Sequence, residues 1–257
     1  MVSMPSKTAF ITGASSGIGQ AAAHQFAAAG FDLIISARRK SRIDELSRLL
    51  VEQHSGEVIA LELDVRDQGA VQKSIGSLPK KWQAIDVLIN NAGLSRGLVT
   101  IDEGLISDWD EMIDTNVKGL LYVSRAVTPL MVKRQAGHII NVGSIAGHEV
   151  YANGAVYCAS KHAVDALTKG MRIDLCQRGV KVSTIDPGLV NTEFSRVRFH
   201  GDQQRADSTY DGMRPLSADD VAATILYMAQ APAHVNLAEV LLLPTDQAAA
   251  TVVKRDN

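Results

Sequence analysis

Cysteine is scarce in this sequence: Cys158 and Cys176 are the only two among 257 residues. Neither has the spacing of a disulfide framework or of a metal site, and both stand where helical sequence is expected. We therefore expect two buried thiols, no disulfide and no bound metal.

Excess positive charge and long hydrophobic runs are also missing. The formal net charge is -2 at pH 7, so the chain offers no positive field for a phosphate backbone, and we expect no nucleic-acid partner. No apolar stretch approaches the roughly 20 residues of a membrane-spanning helix, so we expect no membrane insertion. The opening residues, MVSMPSK, lack the pattern of a signal peptide, which favours a cytoplasmic protein.

Hydrophobic residues make up 46% of the chain and charged residues 21%. This composition excludes intrinsic disorder and predicts a large buried core. Because no internal repeat or low-complexity linker divides the sequence, we predict a single domain over residues 1–257.

Short β-branched runs alternate with longer helical stretches from end to end, which is typical of βαβ units around a parallel sheet. The predicted strands cover residues 8–13, 32–37, 57–64, 86–90, 138–142, 181–186 and 239–243. The predicted helices cover residues 17–29, 41–54, 68–77, 108–133, 154–178 and 218–230. Because most strands are almost continuously apolar, we predict an α/β Rossmann fold, with one seven-stranded, doubly wound parallel sheet flanked by helices.

One long segment has neither pattern. Residues 188–215 are rich in Arg, Asp, Ser and Gly, and an irregular connection of that length is uncommon in a compact domain. We predict that this segment is a lid that covers a substrate.

A glycine-rich turn, TGASSGIG from Thr12 to Gly19, follows the first predicted strand and opens the first predicted helix. Glycines there permit a tight bend and let the backbone approach a pyrophosphate, which the helix N-terminus attracts. The turn therefore predicts a dinucleotide cofactor. Its predicted cofactor contacts are Gly13, Ser15, Ser16, Gly17, Ile18 and Gly19.

The end of the second predicted strand indicates which dinucleotide binds. An acidic residue there would bind the 2'-hydroxyl of NAD and repel a phosphate. Ala37 occupies that place, followed by Arg38 and Arg39, whose guanidinium groups can pair with a 2'-phosphate. We predict NADP(H); the alternative is a solvated cluster of cations before the next helix.

Tyr157 and Lys161 lie four residues apart in YCASK, hence on one face of a predicted helix. A tyrosine phenol has a pKa near 10, and a nearby ammonium favours the phenolate, so we expect Lys161 to lower the pKa of Tyr157. Ser144 follows the fifth predicted strand in NVGS. Its hydroxyl can hold the oxygen of a reacting carbonyl group.

In this order and spacing, the glycine turn, Ser144 and the Tyr-Lys pair resemble the short-chain dehydrogenase/reductase family, over nearly the whole chain. The resemblance implies that NADPH delivers hydride to a carbonyl carbon while Tyr157 donates a proton to its oxygen, with oxidation as the reverse. It also implies that Lys161 holds the nicotinamide ribose. Asn116, in DTNVK, would bend a helix and anchor a water that leads protons toward the lysine.

Three further segments match cofactor contacts of that family. One follows the third predicted strand and matches its adenine contacts, one is the NNAG run after the fourth, and one is the PGLVNT run after the sixth. The residues carried over are Asp64, Val65, Asn91, Ala92, Gly93, Pro187, Gly188, Val190 and Thr192. The resemblance also implies a homotetramer.

The run EFSRVRFHGD, residues 193–202, resembles a narrower group, the NADP-dependent 3-hydroxy acid dehydrogenases, also described as serine or allo-threonine dehydrogenases. This implies oxidation at C3 of a small 3-hydroxy acid, or reduction of the matching 3-oxo acid or a short aldehyde. The carboxylate of such a substrate needs a cation. The candidate substrate contacts are Arg96, His148, Arg196, Arg198 and His200.

Two other functions remain open on the sequence. A 3-oxoacyl or other bulky-ketone carbonyl reductase would share every catalytic residue and differ only in its pocket and lid. A non-catalytic NADP(H)-binding sensor or scaffold would not need Ser144, Tyr157 and Lys161 together. We therefore predict an NADP-dependent oxidoreductase that acts on a small-molecule substrate.

Overall fold

A computed structural model of the protein describes residues 6–256. Its main feature is a seven-stranded parallel sheet in the order β3-β2-β1-β4-β5-β6-β7. The strands are β1 Thr8–Thr12, β2 Asp32–Ala37, β3 Val58–Glu62, β4 Ile85–Asn90, β5 Gly137–Val142, β6 Val180–Pro187 and β7 Glu239–Leu242. The predicted doubly wound parallel sheet is confirmed. The prediction that the opening residues do not form a signal peptide concerns mainly residues 1–5, which lie outside the described range.

Helices cover both faces of this sheet. They are α1 Gly17–Ala28, α2 Lys40–Gln53, α3 Gln68–Gly76, α4 Ile106–Ile113, α5 Leu120–Arg134, α6 Ala155–Leu175, α7 Glu193–Arg198, α8 Gln203–Ser208 and α9 Ala218–Gln230.

Successive residues of the central strands enter different cores. In β1, Ala9 and Ile11 pack in the core with α1, α2 and α9, whereas Phe10 packs in the core with α3, α5 and α6. Burying a side chain of the size of Ile11 or Phe10 contributes about 2 kcal/mol to the stability of the fold. A strand that is apolar on both sides is therefore stable only when helices cover both faces, which explains the unbroken apolar runs.

The predicted helix over residues 108–133 is observed as α4 and α5 joined by a π-helical turn, Asp114–Gly119. Such a turn contains one residue more than the regular helix and is common at functional sites. The bend expected at Asn116 takes this form, because Asn116 lies inside the turn.

The prediction that residues 188–215 are irregular was wrong in part. They contain α7 and α8, whose first turns are capped by the side chains of Thr192 and Asp202. Each helix has only six residues, and hydrophobic periodicity over so short a stretch carries no signal. Near the C-terminus, β8 Gln247–Ala249 and β9 Val252–Val253 form an antiparallel pair that the sequence also gave no pattern for.

The two cysteines differ from expectation in one respect. Both are free, and Cys158 is buried in α6, but Cys176 is exposed in the 3-10 turn that follows α6. A helix end offers no core on its outer side, which is why Cys176 does not share the burial of Cys158. Between residues 6 and 256, no acid, His and Cys side chains form a group able to hold a metal, and no helix is long and apolar enough to span a bilayer.

Candidate active site

A cleft of about 890 Å³ opens at the carboxyl ends of the strands. It lies where the strand order reverses between β1 and β4, the place where open α/β sheets bind ligands. The sequence-predicted site residues that line it are Gly13, Ser15, Ser16, Gly17, Ile18, Arg38, Arg39, Asp64, Val65, Asn91, Ala92, Gly93, Arg96, Ser144, Tyr157, Lys161, Pro187, Gly188, Val190, Thr192 and Arg198.

The glycine turn has the backbone that a phosphate cradle requires. Gly13 and Gly17 have φ angles of 67° and 55°, in the left-handed region that favours glycine. A Cβ on Gly19 would lie 2.4 Å from the side-chain nitrogen of Asn91, so Gly19 serves close packing behind the cleft. The turn leads directly into α1, whose N-terminus attracts an anion, and the site therefore fits a dinucleotide pyrophosphate.

Strand β4 is fastened to this turn by hydrogen bonds. The Thr12 hydroxyl oxygen accepts the backbone N–H groups of Asn91 at 3.0 Å and Ala92 at 3.1 Å. The Asn91 side chain donates to the Thr12 carbonyl at 2.9 Å. These bonds hold the NNAG segment and the glycine turn as one rigid wall.

Arg39 is bound to the glycine turn rather than free in solvent. Its guanidinium donates to the hydroxyl of Ser15 at 2.9 Å and to that of Ser16 at 2.7 Å, and Nη1 lies 2.9 Å from a carboxylate oxygen of Glu193. Arg38 is about half exposed, with Nη1 3.5 Å from Glu111. Both cations lie at the end of β2, where a 2'-phosphate would need them.

Asp64 lies at the cleft after β3 and is paired with Arg66, whose Nη2 is 2.6 Å from Oδ2. Burial opposes ionisation of Asp64, but the hydrogen bonds from Arg66 outweigh it and lower the pKa of the carboxyl. An ionised carboxylate at this edge can accept a hydrogen bond from an amino group. Val65, next to it, is buried.

Ser144, Tyr157 and Lys161 meet at the base of the cleft. Tyr157 and Lys161 are on the first turns of α6 and only 8% and 7% exposed. The Lys161 ammonium donates to the Val142 carbonyl at 2.9 Å and lies 5.9 Å from the ring centre of Tyr157. Ser144 follows β5 and lines the same cleft, and its hydroxyl accepts the Ala146 backbone N–H at 3.1 Å.

Acidification of Tyr157 by Lys161 was a wrong prediction for the protein alone. Burial raises the pKa of Tyr157 above its ordinary value, and the Ser144 hydrogen bond and the Arg198 charge offset this only in part. Burial also lowers the pKa of Lys161 to about 8. Desolvation outweighs charge attraction here because both groups are almost completely enclosed. Tyr157 is therefore protonated at neutral pH, the form that donates a proton.

Asn116 is buried behind the site and joins three elements. Its amide nitrogen donates to the Leu94 carbonyl at 2.8 Å and to the Ser160 hydroxyl at 3.0 Å, and its oxygen accepts the Leu94 N–H at 2.8 Å. The π-helical turn is thus tied to the loop after β4 and to α6. Asn116 itself is not part of the cleft lining that the described residues form.

Arg198 is a candidate substrate cation that lies beside the ring of Tyr157. Its guanidinium carbon lies 5.5 Å from the ring centre of Tyr157, and Nη2 donates to the Tyr151 hydroxyl at 2.6 Å. Arg196 is exposed and, within the described chain, lies outside the cleft lining. Residues two positions apart on a helix point to nearly opposite sides, so α7 brings one arginine to the site and turns the other away.

The other substrate candidates are occupied by acids. Arg96 lines the cleft, but its Nε is 2.7 Å from Glu111 and its Nη1 donates to a backbone carbonyl. His148 lies 3.0 Å from Asp186 and His200 lies 3.0 Å from Asp108. Neither histidine is part of the cleft lining in the described part of the chain, so the structure does not bring them together with the other predicted site residues.

Several lining residues were missed by the sequence reasoning. They come from the loop after Ser144, from α7 and α8, and from the C-terminal segment, and include Tyr151, Phe194, Val197, Phe199, Arg205, Tyr210, Gln247, Ala250, Thr251, Val253 and Arg255. Phe194 packs edge-on against Tyr157 with ring centres 5.6 Å apart. An aromatic residue two positions after Thr192 could have been recognised from the sequence, whereas the C-terminal segment had no pattern.

Known proteins resemble this chain over nearly its full length. An NADP-dependent 3-hydroxy acid dehydrogenase, YdfG, of Salmonella typhi is 44% identical over 241 residues, covering 93% of this chain and 96% of that protein. An NADP-dependent 3-hydroxy acid dehydrogenase of Schizosaccharomyces pombe is 43% identical over 256 residues, covering 99% of both. These relatives confirm the narrower resemblance read from residues 193–202.

Solved structures give the same result. The closed form of a serine dehydrogenase complexed with NADP+ superposes with a TM-score of 0.90 at 40% identity, covering 97% of this chain and 100% of that one. A serine dehydrogenase from Escherichia coli superposes with a TM-score of 0.81 at 36% identity, covering 94% and 99%. The sequence pattern that defines the family described as short chain dehydrogenase matches residues 7–203. By fold, site residues and sequence, the chain belongs to the short chain dehydrogenase family.

Proposed function

We propose that this protein is an NADP-dependent oxidoreductase that interconverts a small 3-hydroxy acid and the corresponding 3-oxo acid. The observation that carries the proposal is that Tyr157, Ser144 and Lys161 line the same cleft as the glycine turn, with the Arg198 guanidinium carbon 5.5 Å from the ring centre of Tyr157. The relatives support it, since they are NADP-dependent 3-hydroxy acid dehydrogenases.

The cofactor side of the cleft is assigned residue by residue. Arg38 and Arg39 bind the 2'-phosphate, the glycine turn binds the pyrophosphate, and Lys161 binds the nicotinamide ribose. Asp64 and Val65 would contact the adenine, and the NNAG segment would line the adenine ribose and the nicotinamide side of the cleft. Residues 187–192 would bracket the nicotinamide amide. When bound, the nicotinamide supplies or accepts the hydride.

The proton is handled by the protein. In reduction, the phenol of Tyr157 donates it to the carbonyl oxygen, and the Ser144 hydroxyl orients that oxygen by hydrogen bonding. Lys161, with its pKa lowered by burial to about 8, exchanges protons near neutral pH. Asn116 holds the water that leads protons toward it.

The substrate carboxylate is bound by Arg198, which the Tyr151 hydroxyl holds in position at 2.6 Å. A cation beside the proton donor favours an acid substrate, because a neutral ketone would leave the guanidinium without an anionic partner. This observation favours a 3-hydroxy acid over the bulky ketone of a 3-oxoacyl or other carbonyl reductase.

The wider proposal concerns the whole chain. Residues 1–257 form one domain, in which residues 188–215 act as a lid over the substrate. The protein is a homotetramer located in the cytoplasm. The assembly is supported by exposed apolar side chains at Ile101, Leu105 and Ile106, at Ile173 on α6 and at Tyr227 on α9. Light scattering in solution tests the assembly, and cell fractionation tests the location.

The deciding experiment follows the absorbance of the reduced nicotinamide during turnover. Serine, 3-hydroxyisobutyrate and secondary alcohols of similar size are each offered with NADP+ and with NAD+. We expect the highest kcat/KM for a 3-hydroxy acid with NADP+, and we expect Arg39→Ala to reduce the preference for NADP+. Equal turnover with both cofactors, or a higher kcat/KM for a neutral alcohol, would contradict the proposal.

A further inference from the structure

The carboxylate of Glu193 lies between two arginines of the cofactor side. Glu193 is the first residue of α7, and its oxygens are 2.9 Å from Nη1 of Arg39 and 2.8 and 3.0 Å from Nη1 of Arg42. Burial opposes ionisation of Glu193, but hydrogen bonds from both arginines outweigh it and lower its pKa. Glu193 is therefore an anion that the protein itself places on the cations after β2.

The Arg39 side chain contacts both the glycine turn and the 188–215 segment. The same guanidinium that bonds to Glu193 also donates to the hydroxyls of Ser15 and Ser16. An arginine has five N–H donors in a fixed fork, and four of the contacts it makes here are to side-chain oxygens. A 2'-phosphate can gain a bidentate contact to Arg39 only by taking donors that now face Glu193 or the serines.

We propose that Glu193 is a cofactor-specificity determinant that competes with the 2'-phosphate for Arg39. The inference rests on the proposed NADP function. A phosphate monoester carries more negative charge than a carboxylate and offers three acceptor oxygens, so it displaces Glu193. NAD lacks that phosphate and leaves the ion pair intact. Glu193 thus lowers the affinity for NADP without acting on NAD.

The position of Glu193 connects this exchange to the reaction centre. Helix α7 has six residues; Glu193 begins it, Phe194 packs on the ring of Tyr157, and Arg198 ends it beside the same ring. The ion pair that a 2'-phosphate would disrupt and the proposed substrate cation therefore lie at opposite ends of one six-residue helix.

The test is equilibrium binding, by calorimetry, of NADP+, NAD+ and the fragment 2',5'-ADP to the wild-type protein and to Glu193→Gln. This substitution keeps the size of the side chain and removes its charge. Partly exposed ion pairs of this kind are weak, so we expect affinity for NADP+ and 2',5'-ADP to rise about fivefold in Glu193→Gln, whereas affinity for NAD+ changes less than twofold.

Two controls separate competition from a general change in charge. Glu52→Gln removes an equal charge at the C-terminal end of α2, far along the helix from Arg42, where Glu52 pairs with Arg48 at 2.7 Å. It should leave the affinities for NADP+, NAD+ and 2',5'-ADP unchanged. In an Arg39→Ala background, Glu193→Gln should raise NADP+ affinity less than twofold, because the contested cation is gone. This double-mutant cycle measures the coupling free energy between Glu193 and Arg39 directly.

The outcomes are distinct. An unchanged or weaker affinity of Glu193→Gln for NADP+, an equal gain for NADP+ and NAD+, or the full gain in the Arg39→Ala background would overturn the role of Glu193. Wild-type protein that binds NADP+ no more tightly than NAD+ would instead overturn the proposed cofactor, and the competition with it.

Discussion

The guanidinium carbon of Arg198 lies 5.5 Å from the ring centre of Tyr157 and 5.4 Å from that of Tyr151. One arginine thus lies beside two of the tyrosine rings that line the cleft. Its charge acts on two groups: it lowers the pKa of Tyr157 against the larger effect of burial, and it offers an anchor for an anionic substrate.

Arg198→Ala should reduce kcat/KM for a 3-hydroxy acid by about 10- to 100-fold, since a hydrogen bond to a charged group contributes about 1.5–3 kcal/mol. The loss should be smaller for a neutral alcohol of similar size. Arg196→Ala, on the outer side of the same helix, is the matched control and should change kcat/KM less than twofold. Equal losses on acid and neutral substrates would reject the carboxylate contact.

Tyr157→Phe removes the proton donor and keeps the ring that packs on Phe194. Turnover should fall at least about 100-fold, because general acid catalysis contributes that much or more, while NADP+ affinity measured by calorimetry stays within a factor of about three. Retained turnover in this variant would show that another group donates the proton.

Lys161→Met should stabilise the protein while abolishing turnover. Burial lowers the pKa of Lys161 from 10.5 to about 8, so the folded state binds this proton less well than the unfolded state does. The penalty is on the order of 3 kcal/mol at neutral pH and is relieved as pH rises from about 8 toward 10.5. In the cofactor-free protein, the variant should melt several degrees higher at pH 7.

The exposed Lys73→Met serves as the control for Lys161→Met and should not change the melting temperature. The wild-type protein should gain stability between pH 8 and pH 10.5 relative to Lys161→Met, as measured by denaturant unfolding. A lower melting temperature of Lys161→Met at pH 7 would mean that the hydrogen bond to Val142 matters more than desolvation.

His138 should make stability fall in mild acid. Its ring is buried and bonded to the Ser183 hydroxyl at 2.8 Å, and burial, with the Lys181 charge, lowers its pKa to about 3. In the unfolded chain the imidazole has its ordinary pKa of 6.5 and binds a proton below it. Stability is therefore present above that pH and is lost as pH falls toward 3, by about 2 kcal/mol at pH 5.

The measurement is urea unfolding of the wild type and of His138→Asn between pH 7 and pH 5. Because Asn does not titrate, the variant should lose less stability over this range, whatever its stability at pH 7. The pH-dependent slope is the readout, and identical slopes would remove His138 as the cause.

The sheet and the cofactor side could be predicted from the sequence because their signals are local. Each strand is a short apolar run whose observed ends lie within two residues of those predicted, and the glycine turn, Ser144 and the Tyr157–Lys161 pair are fixed by short spacings. The role of Asn116 came from resemblance alone and stays a prediction, and the π-helical turn that contains it had no signal in the hydrophobic pattern.

The substrate side could not be predicted, because it depends on long-range packing. Whether Arg196 or Arg198 enters the cleft is decided by the orientation of a six-residue helix, and the pairing of Arg96 with Glu111 joins residues from separate segments. The pKa of Tyr157 depends on how deeply α6 is buried, which no spacing reveals. The C-terminal wall is formed by strands of three and two residues, too short for any periodicity.

The π-helical turn at Asp114–Gly119 determines which sequence changes this region tolerates in evolution. The extra residue of this turn sets the rotation of α5 about the helix axis relative to α4. Deleting one residue would rotate α5 by about 100° relative to α4. No exchange of one side chain for another reproduces that rotation. The two hydrogen bonds between the Asn116 side chain and the Leu94 backbone depend on this rotation, so a deletion within the turn would remove them even though Asn116 itself is retained.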